Sequence, residues 1–396
     1  MARTQRKIGL WLLGAKGNIA TCLMLGLASI KRQLVETYGL VTVSEPFNML
    51  PLVELDGMVL GGHEINRSSL QDCINRFLSE SGLPLPCPMN ELREEIDKFE
   101  KEIKLGVQIS NDIVLSLLIS QIRFDIREFK ERNHLENVVV VNVMSTEATT
   151  SFPMKWRTVE SFEKAIEANE TIGLTPSVLY TYAAVLERCP FVNFTPSFGT
   201  DIPAIEKLCA SLKVPHIGKD GKTGETLVKT QLAPLFKARN LRVLSWTGFN
   251  ILGNNDGANL QDPAKKSSKT CGKQVSVKSI LRDDAIHSLV GIDYVPSLGD
   301  WKIAWDFIHF TGWLNTKMSL QFIWQGCDSV LAAPLIIDLV RLVDFAAQKN
   351  ECGVLDHLSS FFKSPISAVT MSFPDQCEIL LDYVSRHLKE RRYAHG

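Results

Sequence analysis

Residues 265–278, KKSSKTCGKQVSVK, hold five lysines and no acidic side chain, in a 396-residue chain whose formal charge is −1. Such a run is either a solvated basic loop or one wall of an anion pocket. If Ser267 and Ser268 open a helix, Lys269 and Lys273 fall four apart on one face. Two ammonium groups side by side lower each other's pKa unless an anion sits between them, an arrangement suited to a phosphorylated substrate. Three other segments set polar groups into glycine-rich turns. In GAKGN, residues 14–18, Gly14, Gly17 and Asn18 would let backbone N–H groups approach a pyrophosphate at a helix N-terminus. The pattern is G-x-x-G-N, which an ordinary strand–helix turn also adopts. Glu64, after the second strand, is placed either to bind an adenosine ribose diol or to stand on the surface. GKDGKTGET, residues 218–226, puts Asp220, lysines and hydroxyls at a strand-to-helix junction and reads as an anion-binding or nicotinamide-contacting loop. In NILGNNDGANL, residues 250–260, Asn254, Asn255, Asp256 and Asn259 suit sugar hydroxyls, although NNDG is equally a turn sequence.

The surrounding pattern specifies the scaffold. Residues 8–13 read as a buried strand, 19–31 as an amphipathic helix and 55–65 as a strand ending in glycines. Helical patterns follow at 69–81 and 90–105, the second with a charged, solvated face. NVVVVNVMSTE, from Asn137, is a β-branched run typical of a parallel strand buried on both faces. Helix and strand then alternate through 175–218. This repeated β–α–β order predicts an α/β fold, a Rossmann-like doubly wound parallel sheet. Beyond a helix at 226–237, four long segments rich in aromatic and β-branched residues (241–255, 288–300, 302–314 and 317–326) predict an antiparallel sheet covered on one face, with helix between them only around 274–285. Helices return at 330–349 and 375–391. The expected organisation is a Rossmann-like domain from 1–226 and 334–396, with a β-rich (α+β) domain inserted at 227–333.

Bulk properties narrow the function. With 45% hydrophobic and 22% charged residues and a pI near 6.7, the chain has no electrostatic footprint for nucleic acid or membrane. Nine scattered cysteines without a C-x-x-C, and eight dispersed histidines, argue for reduced thiols in the cytoplasm and against a metal site. The apolar run at 8–13 is too short for a signal peptide, and no stretch approaches the roughly 20 apolar residues of a membrane span.

Taken together in order, TPSVLYTYAAVLERCPFVNFTP (175–196), GKDGKTGET, GFNILGNNDGANL (248–260), SSKTCGK (267–273), YVPSLGDWK (294–302) and CDSVLAAPLIIDL (327–339) resemble the myo-inositol-phosphate synthases (inositol-3-phosphate synthase, also called inositol-1-phosphate synthase), in their short archaeal and bacterial form. The similarity runs from Gly14 to about Pro365 and is strongest over 173–345. It implies an NAD-dependent isomerase (intramolecular lyase) that turns D-glucose 6-phosphate into 1D-myo-inositol 3-phosphate, with the β-rich insertion serving catalysis and assembly into homotetramers. By matching motif positions, the resemblance implies catalytic roles for Lys269, Lys273, Lys302, Lys363, Asp256 and Asp328. It assigns the cofactor to Gly14, Gly17, Asn18, Glu64, Thr146, Asp220 and Asp300, and the sugar to Asn254, Asn255, Lys273 and Lys302. Asp328 reads equally as a helix cap. Three departures fall on the cofactor side: a glycine loop poorer than the family's G-x-G-G-N-N-G, Lys219 where an acid is usual, and SFGTDIP after Pro196 where a Gln-Asn pair is usual. They keep open an NAD-dependent dehydrogenase or cyclase acting on another phosphosugar, and a catalytically silent nucleotide-binding scaffold.

Overall fold

All six residues of Ile8–Leu13 are buried, and this run forms β1, the strand from which the main sheet grows in both directions. The structure, a computed structural model, describes residues 6–110, 112–147, 151–254, 257 and 277–395. β1 is followed by α1 (Asn18–Lys31), β2 (Met58–Glu64), α2 (Leu70–Ser81), α3 (Arg93–Glu102), β3 (Ile103–Leu105), α4 (Leu115–Arg132) and β4 (Asn137–Asn142). Next come α5 (Val159–Glu167), α6 (Pro176–Leu186), β5 (Phe191–Asn193), α7 (Pro203–Leu212), β6 (Pro215–Gly218) and α8 (Glu225–Ala238). The remainder is β7 (Arg242–Leu252), β8 (His287–Tyr294), β9 (Trp301–Thr311), β10 (Lys317–Cys327), α9 (Asp328–Gln348), β11 (Gly353–Val354) and α10 (Phe373–His395).

The main sheet runs β11-β6-β5-β4-β1-β2-β3 with every pairing parallel. Read from β3, this is the doubly wound order 3-2-1-4-5-6 with one added edge strand. Alternation along the strands sorts side chains between two cores. Ile8, Leu10, Leu12, Val139 and Val141 face a core built with α1, α2, α3 and α9. Trp11, Leu13, Val138 and Val140 face a second core with α4, α5, α6 and α7. Burying both faces explains why these strands read as continuous apolar runs. The expected helix over 90–105 is shorter than its pattern: the chain leaves it after Glu102, and Ile103–Leu105 pairs with β2 as the sheet edge. The pull of an unpaired strand edge outweighs three residues of helical periodicity.

The second sheet has the order β10-β9-β7-β8. It is mixed rather than antiparallel: β9 pairs antiparallel with β7 and β10, while β7 and β8 run parallel. A parallel pair needs a crossover, and part of residues 253–286 supplies it, with a helical stretch at 277–281. Val277 and Ile280 of that crossover pack with Ala233 and Phe236 of α8 over Trp246 and Ile308. Among the described residues, none packs a core over the other face, where Phe249, Trp305 and Ile323 are exposed. Among the described residues no helix is long and apolar enough to cross a membrane; α9 runs through Pro334 and buries Asp338 and Asp344.

Candidate active site

The carboxyl ends of β1, β4, β5 and β6 open onto one cleft, closed from above by the β8–β9 turn and the start of α9. Its lining includes Gly17, Asn18, Thr146, Asp220, Asn254, Asp300, Asp328 and Lys363, and it holds about 910 Å³ of empty space, part of it open to solvent. This is the crevice that open parallel α/β sheets use for ligands.

The floor is the turn from β1 to α1. Gly14 has φ +90°, and a Cβ there would press on the Met144 backbone and the Val143 carbonyl oxygen at 3.3 Å. The turn is folded by Gly14 and Ala15 N–H groups donating to the His63 carbonyl at 3.0 and 3.1 Å. Gly17 sits at the N-cap of α1 with extended dihedrals and no side-chain cap. The N-terminal amides of an α-helix have no helical partner, α1 has no side-chain bond from its N-cap residue, and Gly17, Asn18 and Ile19 border the cleft. Asn18 instead turns its amide to two carboxylates, donating to Asp300 Oδ1 at 3.0 Å and Glu80 Oε2 at 3.1 Å.

Asp300 is the hub between the two sheets. Its Oδ2 accepts the Ser329 N–H at 3.1 Å and the Cys327 thiol at 3.1 Å, and its carbonyl accepts the Asp328 N–H. Burial raises its pKa, and the bonds from Asn18, Cys327 and Ser329 oppose that rise. Asp300 caps α9, so Asp328 is not the cap. The Asp328 carboxylate is turned toward Lys302, whose Nζ donates to Oδ1 at 2.8 Å, and toward the Thr223 hydroxyl at 3.0 Å. Lys302, 6% exposed on β9, is also within 3.4 Å of Thr223 Oγ1.

Across the cleft, Lys363 Nζ donates to Asp220 Oδ1 at 2.9 Å, and the Lys363 N–H to the Asp220 carbonyl at 2.7 Å. The loop carrying Asp220 is zipped to residues 361–364 by further backbone bonds from Lys219, Lys222 and Ser364. Gly221 is required there: a Cβ would lie 2.1 Å from the Phe194 ring. The next residue, Lys222, is buried, donates to Gln376 Oε1 at 2.7 Å and has its Nζ 5.4 Å from the Phe373 ring centre. Burial pushes its pKa down to about 7, against a weak opposing pull from Cys377. A lysine depressed in the folded state holds fewer protons than the unfolded chain between about pH 7 and 10.5, so stability rises with pH through that window. Urea unfolding at pH 7 and pH 9.5 should show this rise in the parent and a flatter profile in Lys222→Met; identical slopes would contradict it.

Lys363, Asp220 and Asp328 thus gather with Gly17, Asn18, Thr146, Asn254 and Asp300 around one space, and Lys302 stands behind that lining, bonded to Asp328 and Thr223. Gly14 and Glu64 stand outside its lining. Glu64 Oε1 accepts the N–H groups of Ile65 and Asn66, and Oε2 accepts the Lys16 N–H at 2.9 Å, so its carboxylate braces the glycine turn. Asn254 Oδ1 accepts the Gly257 N–H, the turn role that its NNDG context allows. Asn255, Asp256, Lys269 and Lys273 lie outside the described residues. Two of the departures meet in space: Lys219 Nζ pairs with Asp201 of SFGTDIP at 2.7 Å and covers the Phe198 ring at 4.7 Å. Sequence reasoning missed Thr223, which joins Asp328 to Lys302, although it lies within a motif singled out for its hydroxyls. It also missed Glu80, at the end of a helix with no polar signal of its own.

Comparison with known proteins gives this arrangement its relatives. The family model described as "Myo-inositol-1-phosphate synthase" matches residues 8–384. Inositol-3-phosphate synthase 1 of Bacteroides thetaiotaomicron is 32% identical over 391 residues, covering 91% of this chain and 90% of that protein. Inositol-3-phosphate synthase of Dictyostelium discoideum is 32% identical over 326 residues, and the chain spans 62% of its length. The crystal structure of inositol-3-phosphate synthase from Caenorhabditis elegans superposes with a TM-score of 0.85 at 25% identity, covering 96% of this chain and 86% of that one. A myo-inositol-1-phosphate synthase-related protein from Thermotoga maritima shares the fold at a TM-score of 0.81 and 24% identity, over 96% of this chain and 99% of its own. With the family model matching nearly the whole chain, and the Bacteroides relative aligned over nine tenths of both proteins, this chain belongs to the myo-inositol-1-phosphate synthase family.

Proposed function

We propose that this chain is an NAD-dependent inositol-phosphate synthase, converting D-glucose 6-phosphate to 1D-myo-inositol 3-phosphate by oxidation at C5, enolisation, aldol closure of C6 onto C1 and re-reduction of the ring ketone. The observation that carries the reading is the pairing of Lys302 with Asp328 and of Lys363 with Asp220, three of these four lining one cleft and Lys302 bonded behind them. Within this family, that arrangement suits a reaction that must move protons and quench oxyanions on a phosphorylated sugar.

The residues present fit a dinucleotide. The uncapped N-terminus of α1 offers amides to a pyrophosphate, and Gly14 leaves the backbone approachable. Gly14, Gly17, Asn18, Glu64, Thr146, Asp220 and Asp300 would hold it, Gly14 and Glu64 from the turn beneath. Bound there, NAD would supply the hydride acceptor and donor for C5. Lys302 would stabilise a carbonyl oxygen as it gains negative charge, its ammonium aimed by Asp328 and Thr223. Lys363, aimed by Asp220, would serve as acid and base toward the phosphate end. Lys269 is proposed for proton transfer at the C5 oxygen, Lys273 for the phosphate, Asp256 for catalysis, and Asn254 with Asn255 for the sugar hydroxyls. Conversion of glucose 6-phosphate by the purified protein is the direct test. The eight described cysteines are all unpaired thiols, which suits work in the cytoplasm.

The open face of the second sheet supports self-association, proposed as a homotetramer. Trp305 pairs across strands with Phe249 and Ile323, and the three are 40%, 44% and 72% exposed. A row of exposed apolar side chains on a sheet face marks an interaction surface. Sedimentation equilibrium should give a tetramer for the parent and smaller species for the double variant Trp305→Arg, Ile323→Arg. A monomeric parent would contradict the assignment, as would an unchanged variant.

A further inference from the structure

A buried polar chain with no part in the lysine chemistry crosses the other end of the main sheet. His63, on β2 immediately before Glu64, is 1% exposed, and its ring lies against Trp11 at 5.1 Å between centroids. His63 Nδ1 is 3.1 Å from the Tyr180 hydroxyl on α6, and Nε2 is 3.0 Å from Asp125 Oδ2 on α4. The Val107 N–H donates to the same hydroxyl at 2.8 Å, and Gln121 donates to both Asp125 oxygens at 3.0 Å.

The donors run in one direction. The Val107 N–H occupies a lone pair of the hydroxyl, so the hydroxyl donates onward to His63 Nδ1, and the Nε2–H is left for Asp125. With that tautomer every buried polar group in the line has a partner. Burial raises the Asp125 pKa, and the bonds from His63 and Gln121 overcome that rise to leave it lowered.

The chain ends on the backbone of a second cavity. This space, about 990 Å³ with part of it open to solvent, lies beyond the carboxyl ends of β2 and β3 and is lined by Ile65, Arg67, Gly106, Val107, Leu118 and Asp125 among others. Gly106 donates its N–H to the Glu64 carbonyl at 2.8 Å, and a Cβ on it would come within 3.2 Å of the Tyr180 hydroxyl. Glu64 therefore stands between this cavity and the glycine turn, because its carboxylate accepts the Lys16 N–H. A dinucleotide with its pyrophosphate on α1 directs its nucleoside half past the ends of β2 and β3.

We propose that the Asp125–His63–Tyr180 chain is a positioning device that fixes Val107 and Gly106 as the wall against which the adenosine half of the dinucleotide packs. This rests on the proposed NAD dependence. The side chains themselves do not touch the reacting atoms, so they should govern cofactor affinity and leave the chemical step alone.

The test compares the parent with Tyr180→Phe, which keeps the ring and removes only the hydroxyl. Calorimetric Kd for NAD and steady-state kinetics are measured on each. Tyr180→Phe should raise the Kd and KM for NAD about tenfold, the scale of leaving a buried donor unmet. The kcat and the KM for glucose 6-phosphate should stay at parental values. NAD affinity unchanged in Tyr180→Phe, or a fall in kcat matching the rise in KM, would overturn the assignment. A parent that binds no NAD would overturn both this assignment and the proposed function, whereas a parent that binds it beside an equally tight Tyr180→Phe overturns this assignment alone. Should Tyr180→Phe not fold, hydrogen exchange on the parent decides. Added NAD should slow exchange over residues 105–108, and unaltered exchange there would refute the role.

Discussion

Lys302→Met is expected to lower kcat by about 10²–10⁴-fold, the range associated with losing a positioned acid or oxyanion donor, while the protein keeps its fold. Lys302 is nearly buried and held by Asp328 at 2.8 Å, so its ammonium is already oriented behind the cleft lining that Asp328 and Thr223 form. Methionine preserves the stem that β9 packs and removes only the charge. Asp328 then keeps the Thr223 hydroxyl at 3.0 Å and, with its side chain 22% exposed, can be hydrated. That combination predicts a catalytic loss without a folding loss. Turnover at saturating substrate, together with a melting curve, checks it. A variant within threefold of the parent would remove Lys302 from the mechanism, and one with a collapsed melting temperature would show its role to be structural.

Lys229→Met is expected to cost stability, by about 3–5 kcal/mol, because it strips the cation from a buried charge cluster. Lys229 on α8 is paired with Glu225 at 2.5 Å and Asp306 at 3.1 Å, with all three side chains at 2% exposure or less. Trp246 donates its indole N–H to Asp306 at 2.8 Å. Burial lowers the Lys229 pKa, and the two carboxylates more than reverse that, so the ammonium is held above its ordinary range. Burial also pushes Asp306 up to about 6, against the pull of Lys229. Without the cation, both carboxylates must take up protons or bring in water. A carboxyl whose pKa is raised on folding binds more protons native than unfolded, so its contribution is greatest at low pH and falls as pH rises through the folded value. The deficit in Lys229→Met should therefore be larger at pH 8 than at pH 5 in chemical denaturation. It should shrink when Asp306→Asn and Glu225→Gln are added. A deficit below about 1 kcal/mol, the scale of an exposed pair, would show that the cluster is solvated.

The parts of this molecule that were legible in the sequence are those where local pattern and tertiary environment agree. The continuous β-branched run at Asn137–Asn142 reads as a doubly covered strand because both of its faces enter cores. The glycine turn reads as a strand–helix junction because Gly14 needs its positive φ. What was not legible depended on partners distant in the chain. The parallel pairing of β7 with β8 is set by what crosses between them, and the strand pattern is the same for either direction. Ile103–Leu105 belongs to a helical pattern until an open sheet edge captures it. Asp328 looked equally like a cap or a site group, and only the arrival of Asp300 at the Ser329 amide separates the two readings. His63, Asp125 and Tyr180 come from three elements and share no single motif, so their chain exists only in three dimensions.

The central claim, that two lysine–aspartate pairs and a dinucleotide carry an internally balanced redox cyclisation, is tested most directly by following product and cofactor together. Purified protein is incubated with NAD and glucose 6-phosphate. The account predicts an acid-stable, periodate-sensitive inositol phosphate that accumulates while NADH does not. NADH that builds up in step with sugar consumption would mark an ordinary dehydrogenase, and an absence of any sugar conversion would mark a silent scaffold; either result contradicts the account.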